Sequence, residues 1–130
     1  MTEQKKPKIL LVDDDRFLLD MYALKFKGSD LEIDTTGSSK DALEKLRSGT
    51  KFDIILLDII MPGIDGIELL RIIREEKLCP DSSIIMLTNQ GDEVEKAKTL
   101  GVDGYIIKAT TIPSEVVETV LNIYEVKNKK

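Results

Sequence analysis

Three consecutive aspartates, Asp13-Asp14-Asp15, directly follow the aliphatic run Ile9-Leu10-Leu11-Val12, and another, Asp58, directly follows Ile54-Ile55-Leu56-Leu57. Two further runs end on a single polar residue: Ile84-Ile85-Met86-Leu87 on Thr88, and Tyr105-Ile106-Ile107 on Lys108. Carboxylates crowded together repel one another and are costly without a cation. An oxygen-rich acidic pocket suits a hard ion such as Mg2+. A lysine and a hydroxyl opposite that ion would hold the other oxygens of a phosphoryl group, and a carboxylate can itself accept one. Brought together, these residues suit metal-assisted phosphoryl transfer, which depends on positioning and charge neutralisation. Taken singly, each has a plain structural explanation: helix caps for the aspartates, an ordinary strand-end threonine, a surface lysine. Capping accounts well for Asp15 and less well for three aspartates in a row after a strand buried on both faces. The chain has no histidine, which excludes His-based zinc sites, Ser-His-Asp triads and histidine phosphoacceptors together.

The elements that must position these groups follow from the hydrophobic pattern. Aliphatic runs without polar alternation suit strands buried on both faces, as in a parallel sheet covered by helices. Residues 31–35 alternate more, as an edge strand does. Between the runs the spacing is helical. Phe17, Met21 and Leu24 recur at three- and four-residue steps over residues 16–27. Ser39 is placed to cap a helix carrying Ala42, Leu43 and Leu46, with Gly49 ending it. Ile67, Leu70 and Ile73 repeat the spacing in a third helix. Residues 92–100 read as a short polar fourth, stopped by Gly101. Residues 114–126 read as a fifth, with Pro113 before its N-cap and a stripe of Val117, Val120, Leu121 and Tyr124. Five βα units predict an α/β fold with right-handed crossovers and a doubly wound, flavodoxin-like parallel sheet of order 2-1-3-4-5. Ligands bind such sheets at the carboxyl ends of the strands. The tips of strands one, three, four and five should therefore meet in one cleft. Strand two ends in Thr35-Thr36-Gly37, with no charged group.

Composition sets the bounds. The 130 residues, 42% hydrophobic and 33% charged, predict a single domain over residues 1–130, with its core over about 8–126 and flexible termini. Aromatics are scarce and Trp is absent, so the core must be aliphatic. A net charge of −5 argues against nucleic acid as a partner. The basic residues gather at the ends, in Lys5-Lys6-Pro7-Lys8 and Lys127-Asn128-Lys129-Lys130. Cys79 is the only cysteine, which forbids an internal disulfide and fits a reducing cytosol. No apolar run approaches the ~18 residues of a membrane span, and no signal core opens the chain. The expectation is a cytoplasmic protein without a membrane partner.

At this point the sequence resembles the receiver domain of bacterial two-component response regulators, of the single-domain, chemotaxis-receiver type, over residues 8–124. The segments that carry the resemblance are Ile9-Leu-Leu-Val-Asp-Asp-Asp15, Asp53-Ile-Ile-Leu-Leu-Asp58, Ile59-Ile-Met-Pro-Gly-Ile-Asp-Gly66, Ile85-Met-Leu-Thr88 and Gly101-Val-Asp-Gly-Tyr-Ile-Ile-Lys108. The resemblance implies that Asp58 is the phosphoacceptor. It implies that Asp14 binds Mg2+ directly and Asp13 through water, with Asp58 and the backbone carbonyl of Ile60 as further ligands. Lys108 would pair with one phosphoryl oxygen and Thr88 would hydrogen-bond another. Tyr105 would be the switch aromatic, moving inward as Thr88 moves. The donor would be a histidine kinase or a histidine phosphotransfer protein of a phosphorelay. The output would be an altered affinity for an unidentified protein, and the domain would be a self-modifying switch with slow autodephosphorylation rather than a turnover enzyme.

The sequence also departs from the family. Ala109 stands where proline usually follows the lysine, so a cis bond is not expected there, and Lys108 could be held differently. Asn89 stands where a small residue is usual. At the two variable positions that tune phosphoryl lifetime stand Ile60 and Gln90. Ile60 cannot orient an attacking water by hydrogen bonding, whereas the Gln90 amide could; together they predict a lifetime that is not extremely short. Three other readings compete. A haloacid-dehalogenase-like phosphatase needs a second aspartate two residues after the nucleophile, where Ile60 stands. A flavin module needs a phosphate loop after strand one, where three aspartates stand. A degenerate scaffold would not need Asp14, Asp58, Thr88 and Lys108 intact.

Overall fold

The computed structural model describes residues 6–89 and 94–128, Val94 by its backbone alone. Strands β1 (Lys8–Val12), β2 (Glu32–Thr36), β3 (Ile54–Asp58), β4 (Ser83–Thr88) and β5 (Gly104–Ile107) alternate with helices α1 (Arg16–Lys27), α2 (Ser39–Arg47), α3 (Gly66–Glu75), α4 (Val94–Thr99) and α5 (Pro113–Asn128). The sheet order is β2-β1-β3-β4-β5, with every neighbouring pair parallel. This is the doubly wound, flavodoxin-like arrangement that the alternation of runs predicts.

Two cores explain why the central strands carry no polar alternation. Ile9, Leu11, Ile54, Leu56, Ile85 and Leu87 pack with α1 and α5. Leu10, Val12, Ile55, Leu57, Ile84 and Met86 pack with α2, α3 and Ala97 of α4. Period-two geometry sends successive side chains to opposite faces, and each aliphatic side chain so buried contributes about 1.5–3 kcal/mol. β2 lies at the edge, with Glu32 and Thr35 exposed. Among the described residues, no helix is long and apolar enough to cross a membrane.

Several local expectations change. α1 forms over the expected residues but buries a different stripe. Leu19, Tyr22 and Phe26 face the core, whereas Phe17 and Leu24 are 75% and 72% exposed. Both stripes satisfy the helical period. The stripe that packs with the β1, β3 and α5 side chains is Leu19-Tyr22-Phe26. The N-cap of α2 is Ser38, in extended backbone, whose hydroxyl accepts the Asp41 N–H at 3.1 Å; Ser39 is the first helical residue. Pro113 begins α5 instead of preceding its cap, a position where its fixed φ and missing N–H are harmless. α4 spans only Val94–Thr99, and Asp92 lies outside the described residues. Its C-terminal side is tied to α3, where the Arg74 guanidinium donates to the carbonyls of Leu100 and Gly101 at 3.3 and 2.5 Å.

Candidate functional site

The carboxyl ends of β1 and β3 place the acidic groups. The Asp13 N–H donates to the Thr36 carbonyl at 3.1 Å, extending the β1–β2 ladder past the strand. The Asp13 carboxylate accepts the Asp15 N–H at 3.0 Å, and Asp15 caps α1 by accepting the Leu18 N–H at 3.2 Å. Asp13 is thereby buried, Asp15 is occupied with capping, and Asp14 is left exposed. Asp58 is the last residue of β3 and is buried. The chain then doubles back over it. The Gly66 N–H donates to the Ile59 carbonyl at 2.7 Å, and Asp65 caps α3 by accepting the Glu68 N–H at 2.9 Å. At Gly66 a β-carbon would lie 2.1 Å from the Asp58 carbonyl oxygen, so only glycine fits.

Asp13, Asp14 and Asp58 each offer a carboxylate oxygen within 4.8 Å of the others. A cluster of hard oxygen donors on this scale fits a divalent cation such as Mg2+. They line a cleft of about 300 Å³ together with Asp15, Leu18, Ile60, Asn89 and Lys108. Lys108 follows β5 and opens a 3₁₀ turn, Lys108–Thr110. No cis peptide occurs among the described residues, so the bond to Ala109 is trans. From this turn the Lys108 ammonium donates to Asp13 at 2.7 Å and lies 3.4 Å from Asp58. Its resting partner is thus Asp13 more than Asp58.

The electrostatics are those of a strained cluster. Burial pushes the Asp58 carboxyl up to about 6; the Lys108 charge opposes this and the Asp13 charge adds to it. Burial works against the Lys108 ammonium. The hydrogen bond to Asp13 and the charges of Asp58 and Asp13 outweigh it, so Lys108 titrates above the usual lysine range. Buried Tyr22 on α1 senses the same groups: burial raises its phenol, Lys108 lowers it, and Asp13 and Asp58 raise it again. Perturbation of several groups in one cleft is a mark of functional sites.

The structure thus brings together Asp13, Asp14, Asp58, Ile60 and Lys108. Thr88 ends β4, buried, in register with Ile107 of β5. Tyr105 faces outward, 42% exposed, with the Lys98 ammonium of α4 5.4 Å from its ring centre. Gln90 lies outside the described residues. Three contributors to the site carry no chemical signal of their own. They are the Thr36 carbonyl that holds Asp13, the close approach of Gly66 to Asp58, and Ser39, whose hydroxyl donates to the Ile64 carbonyl at 2.6 Å. Of these, only Gly66 was legible, as part of the Asp65-Gly66 motif.

Comparison with known proteins agrees with this geometry. The sequence profile of the response regulator receiver domain matches residues 9–120. The transcriptional regulatory protein ResD of Bacillus subtilis is 38% identical over 119 residues, covering 90% of this chain and 48% of ResD. The chain spans about half the length, or less, of the first curated relatives it matches. Among solved structures, a CheY-like response regulator receiver domain protein from Methanospirillum hungatei superposes with a TM-score of 0.85 at 27% identity, covering 96% of this chain and 98% of that one. TrrA of Thermotoga maritima, solved in complex with Mg2+-BeF, gives 0.78 at 32% identity, covering 90% and 98%. With its fold, its cleft and most of its length accounted for by one family, the chain belongs to the response regulator receiver domains.

Proposed function

We propose that this receiver domain accepts a phosphoryl group on Asp58, from a histidine kinase or a histidine phosphotransfer protein, and passes the event on as a change in protein binding. The observation that carries the reading is the buried Asp58, pushed up to about 6, beside the Asp13 and Asp14 carboxylates and the Lys108 ammonium. At neutral pH Asp58 is ionised enough to attack. Its carboxylate oxygen forms the new O–P bond as the P–N bond of the donor phosphohistidine breaks, and the leaving imidazole keeps the electron pair and takes up a proton. These 130 residues contain no histidine, so the donor phosphohistidine lies outside them.

Asp14, Asp58 and the Ile60 carbonyl would hold Mg2+, with Asp13 acting through water; when bound, the ion supplies charge neutralisation for the phosphoryl oxygens. Lys108 moves its hydrogen bond from Asp13 to a phosphoryl oxygen, and the Thr88 hydroxyl donates to another. Tyr105 then leaves its outward position under Lys98 for the space beside Thr88. The surface formed by α4, β5 and α5 changes shape, and partner affinity changes with it. The Mg2+-BeF complex of TrrA supports the metal assignment by likeness.

Intact-mass measurement after incubation with acetyl phosphate tests this. Wild type should gain one phosphoryl group only when Mg2+ is present, and Asp58→Ala should gain none. A gain that survives in Asp58→Ala, or that needs no Mg2+, would sink the assignment. The lifetime of the modified state has its own test. Ile60 lines the cleft and is 60% exposed, an apolar side chain that cannot orient a water by hydrogen bonding. Ile60→Asn should hasten autodephosphorylation by about tenfold, a modest share of what a positioned water-directing group contributes. An unchanged or slower decay would count against this role.

A further inference from the structure

β2 brings no charged group to the cleft, yet the turn after it touches both loops that do. The Thr36 carbonyl takes the Asp13 N–H at 3.1 Å. The Thr36 hydroxyl stiffens the turn by donating to the Ser38 carbonyl at 3.2 Å. One residue further on, the Ser39 hydroxyl donates to the Ile64 carbonyl at 2.6 Å. Ser39 is 2% exposed. Its hydroxyl is not needed by α2, because Ser38 already caps that helix. Ile64 belongs to the loop between β3 and α3, the loop that begins with Ile59 and Ile60. That loop is closed at its base by Gly66 on the Ile59 carbonyl, while its crown, Pro62 and Gly63, is exposed.

We propose that Ser39 is a positioning residue for the divalent cation. By holding Ile64 it fixes the β3–α3 loop, and the Ile60 carbonyl within it, at a set distance from the Asp13-Asp14 turn. The inference rests on the reading of this cleft as a Mg2+-dependent phosphoacceptor site. Ser39 touches neither metal nor phosphoryl group; it acts through the loop, with α2 as the strut. A cavity of about 450 Å³, lined by Ser38, Ser39, Leu43, Pro62 and Ile64 among others, adjoins the tie. If the hydroxyl is removed, this cavity gives the loop room to shift and admits water to the Ile64 carbonyl.

Calorimetric titration of Mg2+ into metal-free protein tests the proposal, on wild type, Ser39→Ala, Ser39→Thr and Ser38→Ala. Ser39→Ala should weaken Mg2+ binding by about fivefold, the worth of one neutral hydrogen bond. The Mg2+ concentration for half-maximal phosphorylation by acetyl phosphate should rise by the same factor, with a far smaller change in the maximal rate. Ser39→Thr keeps the hydroxyl and should restore wild-type affinity. Ser38→Ala strips the α2 cap without touching Ile64; it should lower the melting temperature and leave Mg2+ affinity in place. Wild-type affinity in Ser39→Ala would overturn the proposal. So would a failure of Ser39→Thr to restore affinity, or an equal loss in Ser38→Ala. A wild type that neither binds Mg2+ nor takes up a phosphoryl group would remove the phosphoacceptor reading itself, and the role of Ser39 with it.

Discussion

Gly66→Ala is expected to destabilise the domain by about 3 kcal/mol, the upper end for an overpacked site, and to displace Asp58, the proposed phosphoacceptor. The added β-carbon would stand 2.1 Å from the Asp58 carbonyl oxygen, 2.8 Å from the Ile59 α-carbon and 2.9 Å from the Asp58 carbonyl carbon. All three are backbone atoms, so no side chain can swing aside. Either α3 lifts away, breaking the 2.7 Å bond from the Gly66 N–H to Ile59, or the end of β3 moves and takes Asp58 with it. The sign is diagnostic, because Gly→Ala at an unstrained position usually stabilises. Gly28 offers that contrast: it has φ −70°, and its added β-carbon would meet only the Lys25 carbonyl, at 3.5 Å. Gly28→Ala should gain about 0.4–1 kcal/mol. Urea denaturation of both variants, with Mg2+ titration of the folded fraction, checks the pair. If Gly66→Ala unfolds at the wild-type midpoint, α3 does not clamp the site as described.

Asp58→Asn is expected to do the opposite, making the metal-free protein more stable near pH 7 by about 1–2 kcal/mol. Burial, with the Asp13 charge, raises the Asp58 carboxyl from its ordinary 3.8 to about 6, while Lys108 opposes the rise. Folding therefore favours the protonated form. Below the ordinary pKa both folded and unfolded chains carry the proton and the group is neutral in its effect. As pH climbs from about 4 to about 6, the unfolded chain releases its proton first, and the folded state bears a growing penalty. Above that window the penalty is complete. A shift of this size corresponds to about 3 kcal/mol, reduced here because the cleft is open to solvent screening. Asn removes the penalty and leaves Lys108 its partner Asp13 at 2.7 Å. Denaturation in the presence of a chelator, at pH values from 4 to 8, should show the two proteins converging at the acid end. A variant less stable than wild type near pH 7, or a gain indifferent to pH, would show that Asp58 is not held under electrostatic strain.

The two cases mark what was legible in the sequence. β1, β3 and β4 announced themselves because both of their faces are covered, which leaves an unbroken aliphatic run ending on the residue that enters the cleft. Asp13, Asp14, Asp58 and Lys108 could be named because strand tips of a doubly wound sheet must converge. The face of α1 could not, since Phe17-Met21-Leu24 and Leu19-Tyr22-Phe26 both keep helical spacing and only packing against the sheet and α5 separates them. The α2 cap was read one residue late, at Ser39: the backbone assigns Ser38 to Asp41 and Ser39 to Ile64. That Lys108 sits nearer Asp13 than Asp58, at 2.7 against 3.4 Å, is a tertiary detail to which Ala109 pointed only as a departure.

β3 has no position that looks at solvent. Its odd and even residues belong to different cores, so a change at any of them disturbs one side of the sheet or the other. Over evolutionary time, tolerated variation in such a chain should collect at the β2 edge, on the outer faces of the helices and in the turns. The strand that ends in Asp58 should be among the slowest parts of the sequence to drift, for reasons of packing as much as of chemistry. If the proposed phosphorylation holds, a lineage that gave it up would lose the carboxylate long before it lost the strand beneath it.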